Sequence, residues 1–200
     1  MMVTTRGWFA LALALGSGVF GCATSRPAAY GYVAADVQAW ERASTVLDFN
    51  GEANFGGAEL TSGFTPDPWA FQMTAGGGRN PINIASLGMR DSQTGVVCGR
   101  SFVTRRPDFH FHFNAGVTFS LLRFWVLVNN NTDATLVIRE PDGHWRCNDD
   151  HGRGWASPTM PALDFHRPQA GRYDIWVGSF DASANNPASL YVTELEANHP

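Results

Sequence analysis

Lysine is missing from this chain: all 14 basic side chains among its 200 residues are arginine, and they are scattered rather than clustered. Charged residues make up only 16% of the whole, and the formal net charge is -4. Without a basic run there is no electrostatic footprint for a nucleic acid backbone, so no nucleic-acid partner is expected. Cysteine is scarce as well, with three residues and none at the spacing of a zinc knuckle. The chain has no GxSxG elbow, no HExxH, no EF-hand spacing and no glycine loop running into GK[ST]. These absences argue against an enzyme, and no catalytic residue is assigned. What the chain does have is 21 glycines, 11 prolines and 12% aromatics. Many turn formers between short alternating segments describe an all-β domain. The length allows one such domain with an N-terminal extension.

The extension reads as an export signal. Met1–Arg6 carries one basic side chain, Gly7–Phe20 is apolar, and Gly21-Cys22 follows. The apolar run is too short for a spanning helix. Val19-Phe20-Gly21-Cys22 resembles a bacterial lipobox, which implies cleavage before Cys22, a lipid on its thiol and a membrane anchor. The alternative is ordinary signal cleavage a few residues later. Ala23 is not the aspartate that marks inner-membrane retention, so the outer membrane of the envelope is the expected site. Lipidation of Cys22 leaves Cys98 and Cys147 as the remaining pair in an oxidising compartment, where a disulfide is expected. Two buried free thiols are the alternative.

Residues 22–57 are rich in Ala, Ser, Gly and Asn and read as a tether. One short helix is possible, because Val33, Val37 and Trp40 fall at i, i+4 and i+7. The alternative is that Tyr30, Tyr32 and Trp40 dock on the domain. From Ala58 to Pro200 short strands alternate with turns. Phe109, Phe111 and Phe113 share one face of DFHFHF, and His110 and His112 share the other. Leu122, Phe124, Val126 and Val128 line one face of LLRFWVLV. Leu136 and Ile138, then Tyr173, Ile175 and Val177, follow the same rule. Pro141-Asp142-Gly143-His144 predicts a hairpin turn. About ten strands without a helix after Gly57 predict an antiparallel two-sheet β-sandwich of jelly-roll type. Phe109, Phe111, Phe124, Val126, Leu136, Ile138, Ile175 and Val177 are its expected core.

Several phrases together resemble the bacterial pre-peptidase C-terminal domain family: GAELTSGFTPDP (57–68), TAGGG (74–78), CGRSFVTRRPDFHFHF (98–113), ATLVIREPDGHWRCNDD (134–150), AGRYDIWVGSF (170–180) and SLYVTEL (189–195). The resemblance implies a jelly-roll sandwich that is itself non-catalytic. Some related domains bind calcium, collagen or carbohydrate. No protease domain accompanies the module here, so an accessory role to a fused enzyme does not carry over.

Three candidate sites follow. Asp142, Asn148, Asp149 and Asp150 offer hard oxygen ligands for calcium, against the alternative that they only bond their own turns. Trp125, Trp145, Trp155 and Trp176 offer aromatic faces for a sugar or a protein partner, against the alternative of a second packed layer or a cover by the N-terminal segment. His110 and His112 share a strand face that a transition metal needs, against an ordinary sheet surface. The expected function is that of an envelope lipoprotein whose sandwich is a binding or structural module. The alternative is a calcium-dependent module that binds carbohydrate or protein.

Overall fold

The computed structural model describes residues 34–129, 132–151 and 159–199. Helix α1 (Ala34–Val46) precedes eleven strands: β1 (Gly57–Thr61), β2 (Trp69–Ala75), β3 (Ile82–Asn83), β4 (Phe102–Val103), β5 (Phe109–Asn114), β6 (Leu121–Val128), β7 (Ala134–Arg139), β8 (Trp145–Asn148), β9 (Ala162–His166), β10 (Gly171–Ser179) and β11 (Asn186–Thr193). They form the expected two-sheet sandwich. One sheet is four-stranded, in the order β2-β11-β6-β9. The other is built around β10. One edge of β10 takes β5 near its start and β4 at its end, and the other edge takes β7. Then β1, β3 and β8 lie outside β5, β4 and β7. All pairs are antiparallel except β1 with β5, which run parallel.

The period-2 reading places the core correctly. Phe109, Phe111, Phe124, Val126, Leu136, Ile138, Ile175 and Val177 are all fully buried in one cluster between the sheets. Phe111 meets Phe124 edge-on, with centroids 5.2 Å apart, so opposite sheets interlock through aromatic rings. The hairpin turn forms where proline, aspartate and glycine predict it. Gly143 takes the left-handed backbone (φ 90°), and its N–H donates to the Glu140 carbonyl at 2.9 Å. Strand β3 ends after Ile82–Asn83 in a short 3-10 turn over Ile84–Leu87, capped by the Asn83 side chain. Val117–Phe119 lies outside every strand, and Val117 is fully exposed.

A second core lies outside the sheet built on β10. Ala39, Ala43 and Leu47, spaced four apart, bury against Ile84, Leu87, Val103, Val137, Trp145 and Trp176. The stretch read as a tether therefore contains a helix packed on the sheet. Its contact stripe is Ala39-Ala43-Leu47, not one led by Val37, which is 46% exposed. Alanines let the helix approach closely, and Trp40 adds an Nε1–H bond to the Trp145 carbonyl at 3.0 Å. The Cys98–Cys147 disulfide closes this layer, as expected, across 49 residues.

Candidate functional site: an arginine-rimmed cleft and an acidic corner

The tryptophan surface is not formed as expected. Trp145 and Trp176 are 3% and 0% exposed, because their side of the sheet is covered by α1. Trp125 is 4% exposed and stacks on Tyr191, with centroids 5.0 Å apart and planes 7° apart. Trp155 and Cys22 lie outside the described residues. His110 is committed elsewhere. Its Nδ1 lies 2.8 Å from buried Asp174 and its Nε2 lies 3.1 Å from the Gly51 carbonyl. Arg172 and Arg139 also meet Asp174, at 2.7 and 3.5 Å. His112 is exposed beside this network, so the pair does not converge.

The four expected calcium ligands divide between two ends of β8. Asp142 belongs to the turn before it, where it pairs with His144 at 3.0 Å and accepts from Gln169 at 2.8 Å. There it converges with Glu140 and His144. The cation already present is Arg146, whose guanidinium is 2.6 Å from Glu140. Asn148 ends the strand and Asp149 and Asp150 follow it, a strand length of roughly 13 Å away at ~3.3 Å per residue. Asn148 is fully buried and spent on structure: its Oδ1 accepts from Ala162 N at 2.8 Å, and its Nδ2 donates to Asp91 at 2.7 Å.

What gathers at that far end is an acidic corner of Asp91, Asp133, Asp149 and Asp150. A pocket of about 250 Å³ is lined by Asp91, Thr94, Cys98, Gly99, Asp149 and Asp150, among others. Asp91 organises its own turn, accepting at Oδ1 from Gln93 N and from Thr94 N and Oγ1. Asp149 accepts from the Thr135 hydroxyl. It also crowds Gly99, where a Cβ would come within 2.5 Å of its carboxylate. Burial, followed by the charges of Asp149 and Asp150, pushes the Asp133 carboxyl up to about 6. Burial raises Asp149 and Asp150 too, with Asp91 adding repulsion. Asp133 Oδ1 is buried and finds no hydrogen-bond partner among the described residues. Asp91 and Asp133 escaped the sequence reading, because only the folded β6–β7 and 88–98 loops bring them to Asp149.

On the other side of β10 a cleft of about 590 Å³ opens between the glycine loop and the strand-joining segment 104–108. Its walls are fixed by backbone. Gly76 takes φ 134°, its N–H donates to the Val177 carbonyl at 2.9 Å, and a Cβ there would strike the Ala184 carbonyl at 2.1 Å. A Cβ on Gly77 would strike Pro81 at 2.4 Å, so this loop closes only on glycine. Opposite it, the 48–55 segment is tied down by Asp48 N to Arg105 O, Asn54 N to Pro107 O and Phe55 N to Asp108 O, at 2.8, 2.8 and 2.9 Å. Arg79 projects from one wall and Arg105 and Arg106 from the other. All three are exposed, and none is ion-paired within the described residues.

Beneath them Asp108 is fully buried. Burial pushes its carboxyl up to about 7, against the pull of Val177 N–H, Asn54 and Thr104. A raised carboxyl in a cleft is a mark of acid catalysis. Here both oxygens are already taken: Oδ2 by Val177 N at 2.8 Å, Oδ1 by Asn54 Nδ2 at 2.9 Å and Thr104 Oγ1 at 3.1 Å. A general acid must reach its substrate, and this one has no surface to reach with. It holds the floor of the cleft in place. No histidine or cysteine is among the described lining residues.

No family model matches the chain, and no curated protein matches it. Among solved structures it is similar to the pre-peptidase C-terminal domain of a collagenase from Bacillus anthracis, at 11% identity and a TM-score of 0.38, over 68% of this chain and 94% of that one. It is also similar to the periplasmic inhibitor of g-type lysozyme from Aeromonas hydrophila, at 14% identity and a TM-score of 0.28, over 69% and 96%. At those scores neither carries an argument about this chain, and the sandwich stands on its own strand pairing. No described helix is long and apolar enough to cross a membrane.

Proposed function

We propose that this protein is a non-catalytic binding module of the bacterial cell envelope, lipid-anchored through Cys22 in the outer membrane, which takes its ligand in the cleft between the glycine loop and residues 104–108. The observation that carries the reading is the cleft itself: concave, backbone-fixed, and rimmed by three exposed arginines that form no ion pair among the described residues. Its buried acid is sequestered, which favours binding over chemistry. The test is co-sedimentation of the full-length protein with isolated envelope fragments, alongside Asn80→Trp, which plugs the cleft from an exposed position. Saturable sedimentation that Asn80→Trp abolishes is expected. Equal sedimentation of both proteins would remove the cleft from the function. The anchor is checked separately by palmitate labelling, expected in the wild type and lost in Cys22→Ser.

A second reading is favoured by one observation, the buried Asp133 Oδ1, which has no hydrogen-bond partner among the described residues and lies near the charges of Asp149 and Asp150. On that reading the acidic corner binds calcium and the module depends on it. Chelator-stripped protein titrated with Ca²⁺ then gains several degrees in Tm, and Asp149→Asn loses the gain. An unchanged Tm discards calcium.

A further inference from the structure

We propose that the ligand of the cleft is an acidic sugar, a pyranose carrying a carboxylate, held at its acid group by Arg79, Arg105 and Arg106. The inference rests on the assignment of the cleft as the ligand site and names the chemistry that fits it. Five other arginines, Arg90, Arg123, Arg139, Arg146 and Arg172, meet a carboxylate of the protein itself. The three on the cleft meet none among the described residues, in a chain whose net charge is -4. Guanidinium offers a planar fork of donors that matches a carboxylate two bonds at a time. The acid inside the cleft is withdrawn from competition. Asp108 is buried and its oxygens are consumed, which leaves Asp48 as the remaining carboxylate on the lining.

The rest of the lining suits hydroxyl groups. Asn80, Asn185 and Thr74 make no side-chain hydrogen bond among the described residues, and amide and hydroxyl groups both give and accept. Phe55, 38% exposed, supplies the one aromatic ring among the described lining residues, of the kind on which a sugar face packs. A bare polyanion fits poorly, since three cations on a net acidic protein give little long-range attraction. A neutral sugar leaves three guanidiniums without a counter-charge.

The experiment is calorimetric titration of the full-length protein in detergent with trigalacturonate, its methyl ester and inorganic phosphate. Trigalacturonate is expected to bind saturably. The ester is expected to bind at least tenfold more weakly, and phosphate at least tenfold more weakly than trigalacturonate. Arg105→Gln/Arg106→Gln is expected to lose at least tenfold in trigalacturonate affinity while its Tm stays within about 2 °C of wild type, because both side chains are exposed. Equal binding of acid and ester overturns the acid-group assignment. If Asn80→Trp still abolishes that binding, the cleft stands and only the ligand class falls. Phosphate binding as tight as the sugar overturns the sugar assignment. No binding of trigalacturonate overturns the proposal.

Discussion

Two regions flank β10, and both bury aspartate at a cost, yet they are built in opposite ways. In the cleft a single carboxyl, Asp108, is surrounded by three donors, and the charge left at the surface is positive. In the acidic corner four carboxyls gather, and one oxygen of Asp133 has no hydrogen-bond partner among the described residues. Burial raises the carboxyl in both places, but it leaves one region ready for an anion and the other repelling it. The number of buried acids therefore says less about a site than which donors their oxygens already hold.

The largest effect is expected from unstapling the acidic corner. Cys98 lines it and Cys147 leads into it, so Cys98→Ala/Cys147→Ala releases a 49-residue loop. The chain-entropy model gives a loss of about 4 kcal/mol, read as a lower urea midpoint. If the double variant keeps the wild-type midpoint, the corner is held by packing alone.

Next comes the pH dependence carried by Asp108. Its folded carboxyl, at about 7, lies above the ordinary aspartate value of 3.8. A raised carboxyl gives its full stability below the unfolded value and loses it as pH rises through the folded one. Relative to Asp108→Asn, the wild type should lose about 3 kcal/mol between pH 5 and pH 8. Urea unfolding of both proteins at the two pH values checks this. Parallel profiles would mean that Asp108 is charged throughout.

A smaller effect is expected at the rim. Arg79→Gln alone should weaken trigalacturonate binding roughly fivefold to tenfold, about 1–1.4 kcal/mol, with the unfolding midpoint unchanged. A calorimetric titration of that variant shows whether the two walls of the cleft act together. The smallest effect belongs to Asp150→Asn. Asp150 is largely solvated, so solvent screens its repulsion with Asp91, and the gain at pH 8 in metal-free buffer should stay below about 0.5 kcal/mol.

The sandwich was legible because strand alternation is a local signal. Phe109, Phe111 and Phe113 carry it in six residues, and the turn at Asp142-Gly143 needs only four. The tryptophans were misread for a physical reason. Trp145 and Trp176 sit opposite inward-facing residues, and only the packing of α1 turns that outer face into a core. The stripe of α1 is mostly alanine, so its sequence gives little sign of a buried face. Trp125 was misread likewise: a ring that looked free lies against Tyr191, 66 residues on. The cleft was illegible because its parts, Asn54, Arg79, Arg105 and Asn185, are distant in sequence, and only the glycine loop stood out. That loop was set aside as a phosphate cradle, and its role is to form one wall. Of the calcium set, Asp149 and Asp150 do meet other carboxylates, but Asp142 is separated from them by the length of β8.

The most direct test of the central claim is amide chemical-shift mapping of the protein during titration with trigalacturonate. The account predicts that shifts concentrate at residues 74–80, 104–106 and 185, around the arginine rim. Shifts confined to residues 91–99 and 149–150 would place the ligand at the acidic corner and contradict it.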